Sequence, residues 1–185
     1  MKKIIVIAIL AAIALPAMAQ NQNNRTASAS ERTKLVMSNA IEITFGASGT
    51  ANGGTVSMAF NSVNDYANGV ESDAYQVKVR SNKKFRVQAK TSATRFTYSG
   101  NTTPAPLMNV SNVLFLKVTD NATGGSVGSS FNNKYRTMSN SNQTLINNAT
   151  PGGNKTFNIK YKANPGYNFP AGTYTVNVIY TATQL

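Results

Sequence analysis

Seven basic residues and no acidic one lie between positions 78 and 95: Lys78, Arg80, Lys83, Lys84, Arg86, Lys90 and Arg95. Side chains alternate across a strand, so Lys78 and Arg80 share one face and Arg86 and Lys90 share another. If the two runs form a hairpin, the rows lie side by side, and their mutual repulsion is relieved when an anion binds. The chemistry expected of Lys78, Arg80, Lys83, Lys84, Arg86 and Lys90 is therefore capture of an anionic polymer, such as acidic polysaccharide, lipid head groups or extracellular nucleic acid. The plainer expectation is that these charges only solubilise an outward sheet face. Specific nucleic-acid recognition is not expected, because stacking needs exposed aromatics among the cations. Phe85 falls on the apolar side of its run, leaving only Phe96 and Tyr98 nearby.

The acids are few: Glu31, Glu42, Asp65, Glu71, Asp73 and Asp120. Only Asp65, Glu71 and Asp73 lie close in sequence. A hydrolase that works with paired carboxylates needs one held protonated and one ionised in a cleft, and a polar loop supplies little toward either. The same three offer oxygen ligands to Ca²⁺, but their spacing does not match the EF-hand loop. With no His and no Cys, imidazole- and thiolate-held metals, His-containing triads and cysteine nucleophiles are excluded. No catalytic residue, metal or cofactor is expected, and the chain reads as a non-enzyme.

Those residues must be positioned by strands. Of the 185 residues 41% are hydrophobic and only 13% charged, with 18 Lys plus Arg against 6 Asp plus Glu for a net charge of +12. The polar remainder is rich in Asn, Ser, Thr and Gly, which favours strands and turns over helices. Residues 1–19 have the three parts of a secretory signal: Lys2 and Lys3, the apolar run Ile4 to Ala14, and a small-x-small site at Ala17-Met18-Ala19. The apolar run is too short to span a bilayer, and no second one follows, so no transmembrane segment is expected after cleavage. The mature chain would begin at Gln20 and carry 16 basic and 6 acidic residues, net +10. It is expected in the periplasm, on the cell surface or outside the cell. Residues 20–33, with nothing apolar larger than Ala, read as a flexible leader, and 34–185 as one domain.

From Leu35 onward apolar residues recur with period two in short runs broken by Gly, Asn, Pro and Ser. Ile41, Ile43 and Phe45 make the first apolar face, and Val56, Met58 and Phe60 the next. The runs 75–79 and 85–89 read as a hairpin turned by Ser81 to Lys84, and 113–118 as a central strand covered on both sides. Residues 119–155 read as the longest irregular stretch, with a weak strand signal at Leu145-Ile146. Phe157 to Lys162 and Thr173 to Thr183 read as a closing hairpin. No window has helical periodicity. The fold class expected is all-β, an antiparallel sandwich of the immunoglobulin or pilin-like kind, with a small β-barrel as the alternative.

The C-terminal run Phe169-Pro170-Ala171-Gly172-Thr173-Tyr174-Thr175-Val176-Asn177-Val178-Ile179-Tyr180 resembles the closing strand of small secreted bacterial β-sandwich proteins. The leader Thr26 to Ser30, the Phe45-Gly46 strand end and the Gly53-Gly54-Thr55-Val56 strand entry occur in the same order in that group. These proteins are similar to pilin-like and WxL-like surface domains. The resemblance implies a sandwich with a structural or adhesive role at the bacterial envelope, envelope components as partners and self-assembly as an option. It transfers no site residue, because its motifs are strand and turn signatures.

Overall fold

A computed structural model describes residues 29–46 and 54–185. The expected signal segment, 1–19, and residues 20–28 of the expected leader lie outside them. Residues 29–36 precede the packed unit, hold no helix or strand, and are exposed. The packed unit runs from Met37 to Leu185.

Two antiparallel sheets face each other across one core. The first contains β1 (Ile41–Phe45), β2 (Val70–Glu71), β3 (Tyr75–Ser81), β6 (Leu114–Asn121), β8 (Arg136–Thr137) and β10 (Gly152–Ala163), in the order β1-β3-β10-β6-β8 with β2 also on β10. The second is β12-β4-β9-β7, from β4 (Phe85–Thr91), β7 (Ser126–Val127), β9 (Gln143–Ala149) and β12 (Val178–Gln184). A ribbon of β5 (Thr97–Ser99) and β11 (Thr173–Thr175) stands apart. Neither sheet closes on itself, so the architecture is a sandwich and not a barrel. The period-two faces meet inside: Val77 and Val79 of β3, Leu116 and Val118 of β6 and Phe157 and Ile159 of β10 pack with Phe85, Val87 and Ala89 of β4 and Leu145 and Ile146 of β9. This core has the interleaved inner faces from which a two-sheet domain takes most of its stability.

Several sequence expectations are corrected. The runs 75–81 and 85–91 are strands but not a hairpin: β3 pairs with β1 and β10, and β4 with β12 and β9. The connection at Ser81 to Lys84 carries the chain from one sheet to the other. It is pinned by the buried Ser81, whose Oγ donates to the Lys83 carbonyl at 2.8 Å, and by Asn82, whose Nδ2 donates to the Ser38 carbonyl at 2.8 Å. Alternation tells which side of a strand faces the core, not which strand lies beside it.

The closing hairpin fails for the same reason. β10 lies between β3 and β6, while the run 173–183 divides into β11, on β5, and β12, on β4. β12 is the outer strand of the second sheet beside β4.

Residues 54–60 form no strand, although Val56 and Met58 pack against the core. Two helices break the all-strand expectation, α1 (Val63–Asn68) and α2 (Val110–Val113). α1 is announced by a capping box: Asp65 N donates to Ser62 Oγ at 3.3 Å, and the Ser62 N–H to the Asp65 carboxylate at 2.8 Å. The stretch 119–155 is irregular mainly over 122–142, where β7 and β8 have two residues each, whereas the end of β6, all of β9 and the start of β10 are regular strand.

Candidate functional site

The six cations singled out in the sequence do not form one patch. Because β3 and β4 belong to facing sheets and turn Val77, Val79, Phe85, Val87 and Ala89 into the shared core, their outward rows point away from each other. Lys78 and Arg80 lie on the outer face of the first sheet, and Arg86 and Lys90 on that of the second, while Lys83 and Lys84 are exposed at the turn between them. The side-by-side rows expected of a hairpin are absent. Arg80 also has a counter-charge: it sits opposite Glu42 in the register of β1 and β3, and its guanidinium lies 3.2 Å from the Glu42 carboxylate. With both side chains about half exposed, such a pair is worth at most about 1 kcal/mol.

A different group of lysines is brought together by β10 and β6. Lys160 is directly opposite Lys117, and Lys162 is opposite both Phe115 on β6 and Glu71 on β2. All project from the outer face of the first sheet, since their neighbours Ile159, Tyr161, Leu116 and Val118 are buried. Lys117 is set down into the surface, with its Nζ 4.2 Å above the Tyr135 ring and 3.9 Å from the Glu71 carboxylate. The Tyr135 hydroxyl is buried without a hydrogen bond of ordinary length. Burial first, and then the nearby Glu71 carboxylate, raise its pKa well above the usual tyrosine range. Glu71 is thus in ion-pair reach of Lys117 and is also the register partner of Lys162, while Asp120 lies opposite Asn158, two residues from Lys160 on the same strand.

Sequence reasoning missed this group because Lys117 and Lys160 are 43 residues apart and only the β6–β10 register joins them. It is separate from Lys78. Lys78 is level with Thr156 on β10, four residues from Lys160, or about 13 Å along a strand and beyond the screening length at physiological salt.

The acidic loop is structural. Asp65 Oδ2 accepts from the N–H groups of Asn61 and Ser62, each at 2.8 Å, and these bonds lower its pKa below the ordinary value. Glu71 serves Lys117, and Asp73 is exposed. Phe96 packs against the core and Tyr98 against Tyr174, so neither offers a platform among the cations. No cluster of three or more acidic side chains placed to hold a metal occurs among the described residues.

Comparison with known proteins gives a limited result. No family model matches the chain, and no curated protein matches it. Among solved structures it is similar to a chain of a chaperone-usher pilus, described in connection with rod uncoiling. That likeness has 8% identity and a TM-score of 0.39, covering 88% of this chain and 97% of the other. It is also similar to part of a family 123 glycoside hydrolase from Clostridium perfringens, at 14% identity and a TM-score of 0.34. There the alignment covers 79% of this chain and only 25% of the enzyme. Neither likeness is close enough to carry a function.

Proposed function

We propose that this chain is a non-catalytic exported protein of the periplasm or cell surface, with a structural or adhesive role. The observation that carries the reading is what its acids do. Glu42, Asp65 and Glu71 are engaged in an ion pair, a helix cap and a lysine contact, and Asp120 accepts from the Asn121 N–H at 2.9 Å. Glu31 and Asp73 are exposed. None of the six is held buried beside a second carboxylate, the arrangement that acid–base hydrolysis needs. The tripartite N-terminal sequence supplies the route out of the cytoplasm. Fractionation followed by intact-mass measurement is expected to recover, from periplasm or medium, a chain beginning at or near Gln20. A full-length mass in the cytoplasmic fraction overturns the export reading.

A second reading is supported by the lysine group: capture of an anionic polymer through the outer faces. Like charges held directly opposite each other are destabilising, and an anion spread across Lys117, Lys160 and Lys162 relieves that repulsion. The variant with these three lysines replaced by Gln is expected to elute from immobilised heparin at clearly lower salt than the parent and to unfold cooperatively as the parent does. The variant with Lys78, Arg80, Arg86 and Lys90 replaced by Gln should lose retention as the plain sum of two separated pairs, because those pairs sit on opposite faces. Equal elution of parent and triple variant would remove the lysine group from the binding surface.

A further inference from the structure

A cleft of about 500 Å³ opens beside α1, between the segment entering that helix and the loop that leads into β11. Its walls include Phe60, Asn61, Ser62, Tyr66, Tyr167 and Phe169, and no charged side chain lines it. Both walls are held in place. On one side the carboxylate of Asp65 fixes the backbone of Asn61 and Ser62. On the other, Tyr167 Oη donates to the Val63 carbonyl at 2.9 Å, and Tyr174 and Tyr98 donate to the carbonyls of Pro170 and Ala171 at 2.9 and 3.0 Å. The rings form two sets. Phe60 meets Tyr66 at 5.4 Å between centroids, Tyr66 stacks on Tyr167 at 5.8 Å and 21°, and Phe169 packs edge-on against Tyr174 at 6.2 Å.

Tyr167 is stacked on one side and still 64% exposed. A large ring left open in a rigid, uncharged cleft rimmed by an amide and a hydroxyl calls for a ligand with a flat apolar face and a polar edge. A pyranose ring has that shape: its axial C–H groups make the face and its equatorial hydroxyls make the rim. We propose that this cleft binds an uncharged sugar unit of a neutral glycan, stacked on Tyr167 with its hydroxyls directed to Asn61 and Ser62. The cationic faces take no part. The surface-protein reading enters only in that the glycan must be within reach, and binding in solution tests the cleft without it.

The experiment is affinity gel electrophoresis and titration calorimetry of the full chain against soluble neutral polysaccharides, namely β-glucan, galactomannan, xyloglucan and starch, with heparin and a proline-rich peptide as comparators. At least one neutral glycan is expected to bind with an affinity that is the same at low and high salt. Tyr167→Ala should weaken that affinity about tenfold or more, as the loss of a central aromatic contact does. Tyr167→Phe keeps the ring and should retain most of it. Tyr167→Ala also removes the bond to the Val63 carbonyl and the stacking on Tyr66, so thermal melts of both variants accompany the titrations, and a variant that is folded at the titration temperature but does not bind has lost binding and not fold. Absence of binding to every neutral glycan, equal affinity in Tyr167→Ala, binding that fades with salt, or binding of the peptide alone would each overturn the proposal.

Discussion

Replacing Phe157 by Ala is expected to destabilise the domain by about 3–5 kcal/mol, the cost of deleting a buried aromatic ring and leaving a cavity in a close-packed core. Phe157 has no exposed surface and sits on β10, the strand that joins β2, β3 and β6 into one sheet. Its register partners are Val77 on β3 and Asn121 on β6, so the cavity opens where two strand pairings meet. A domain of this size is stable by only about 5–15 kcal/mol, and the variant should therefore unfold at a much lower urea midpoint or fail to accumulate folded. Ile179 supplies the contrast. It lies on β12 in a hydrophobic-looking run, yet it points outward and is 42% exposed. Ile179→Ala should stay within about 0.5 kcal/mol of the parent. Urea titrations with unchanged slopes would read both values. A Phe157→Ala loss smaller than that of Ile179→Ala would mean that the inner and outer faces have been exchanged.

That contrast marks what the residues themselves disclose. The alternation in 41–45, 75–81, 85–91 and 157–162 is enough to place strands and to say which side chains are inside, because a strand half-covered by a core must alternate. Neighbour relations are not in the alternation. Ser81 to Lys84 has the length and polarity of a hairpin turn, and only the completed core reveals that Val77 and Phe85 face each other from opposite sheets instead of lying on one. The expectation of one cationic patch fails for that reason, and the lysine group on β6 and β10 is not legible in the sequence for the same one.

β9 shows only a weak signal at Leu145-Ile146 because both residues are buried. Adjacent burial breaks period two, and it arises here where the register against β4 shifts on either side of Val87. α1 has six residues, too few to show a 3.6-residue period, but its Ser62-to-Asp65 capping signature was legible in the chain. The aromatic cleft needed both: its rings come from residues 60–66 and 167–169, and nothing local in either segment indicates the other.

The contact between Tyr161 and Tyr180 yields the second large expectation, a loss of stability in alkali. The two hydroxyls are hydrogen-bonded to each other across the gap between the sheets, Tyr161 from β10 and Tyr180 from β12, where the Tyr180 ring also meets Phe45 edge-on at 5.3 Å. Tyr161 is buried, and Tyr180 is half-buried as a residue with its hydroxyl end directed inward against its partner. Removal from water disfavours phenolate, so burial raises Tyr161 from 10.0 to about 12 and, with the neighbouring Tyr161 hydroxyl adding to it, carries Tyr180 well above 10.0. Between those values the unfolded chain has released protons that the folded chain still holds. Stability must then fall as pH rises, starting near the unfolded value of 10.0 and continuing through the folded value of about 12. The two hydroxyls share one hydrogen bond and titrate together, so the loss over that window belongs to the pair. Urea midpoints measured from neutral pH upward should be level until about pH 9 and then drop. The single variants Tyr161→Phe and Tyr180→Phe each leave one buried hydroxyl without its partner and should cost about 1–3 kcal/mol at neutral pH. The double variant removes both hydroxyls, so it should cost less than the sum of the singles and lose most of the alkaline drop. Lysines and exposed tyrosines titrate in the same range, but they are shared by parent and double variant and cancel in the comparison. An alkaline drop of equal size in the two proteins would show that the pair is not what titrates on unfolding.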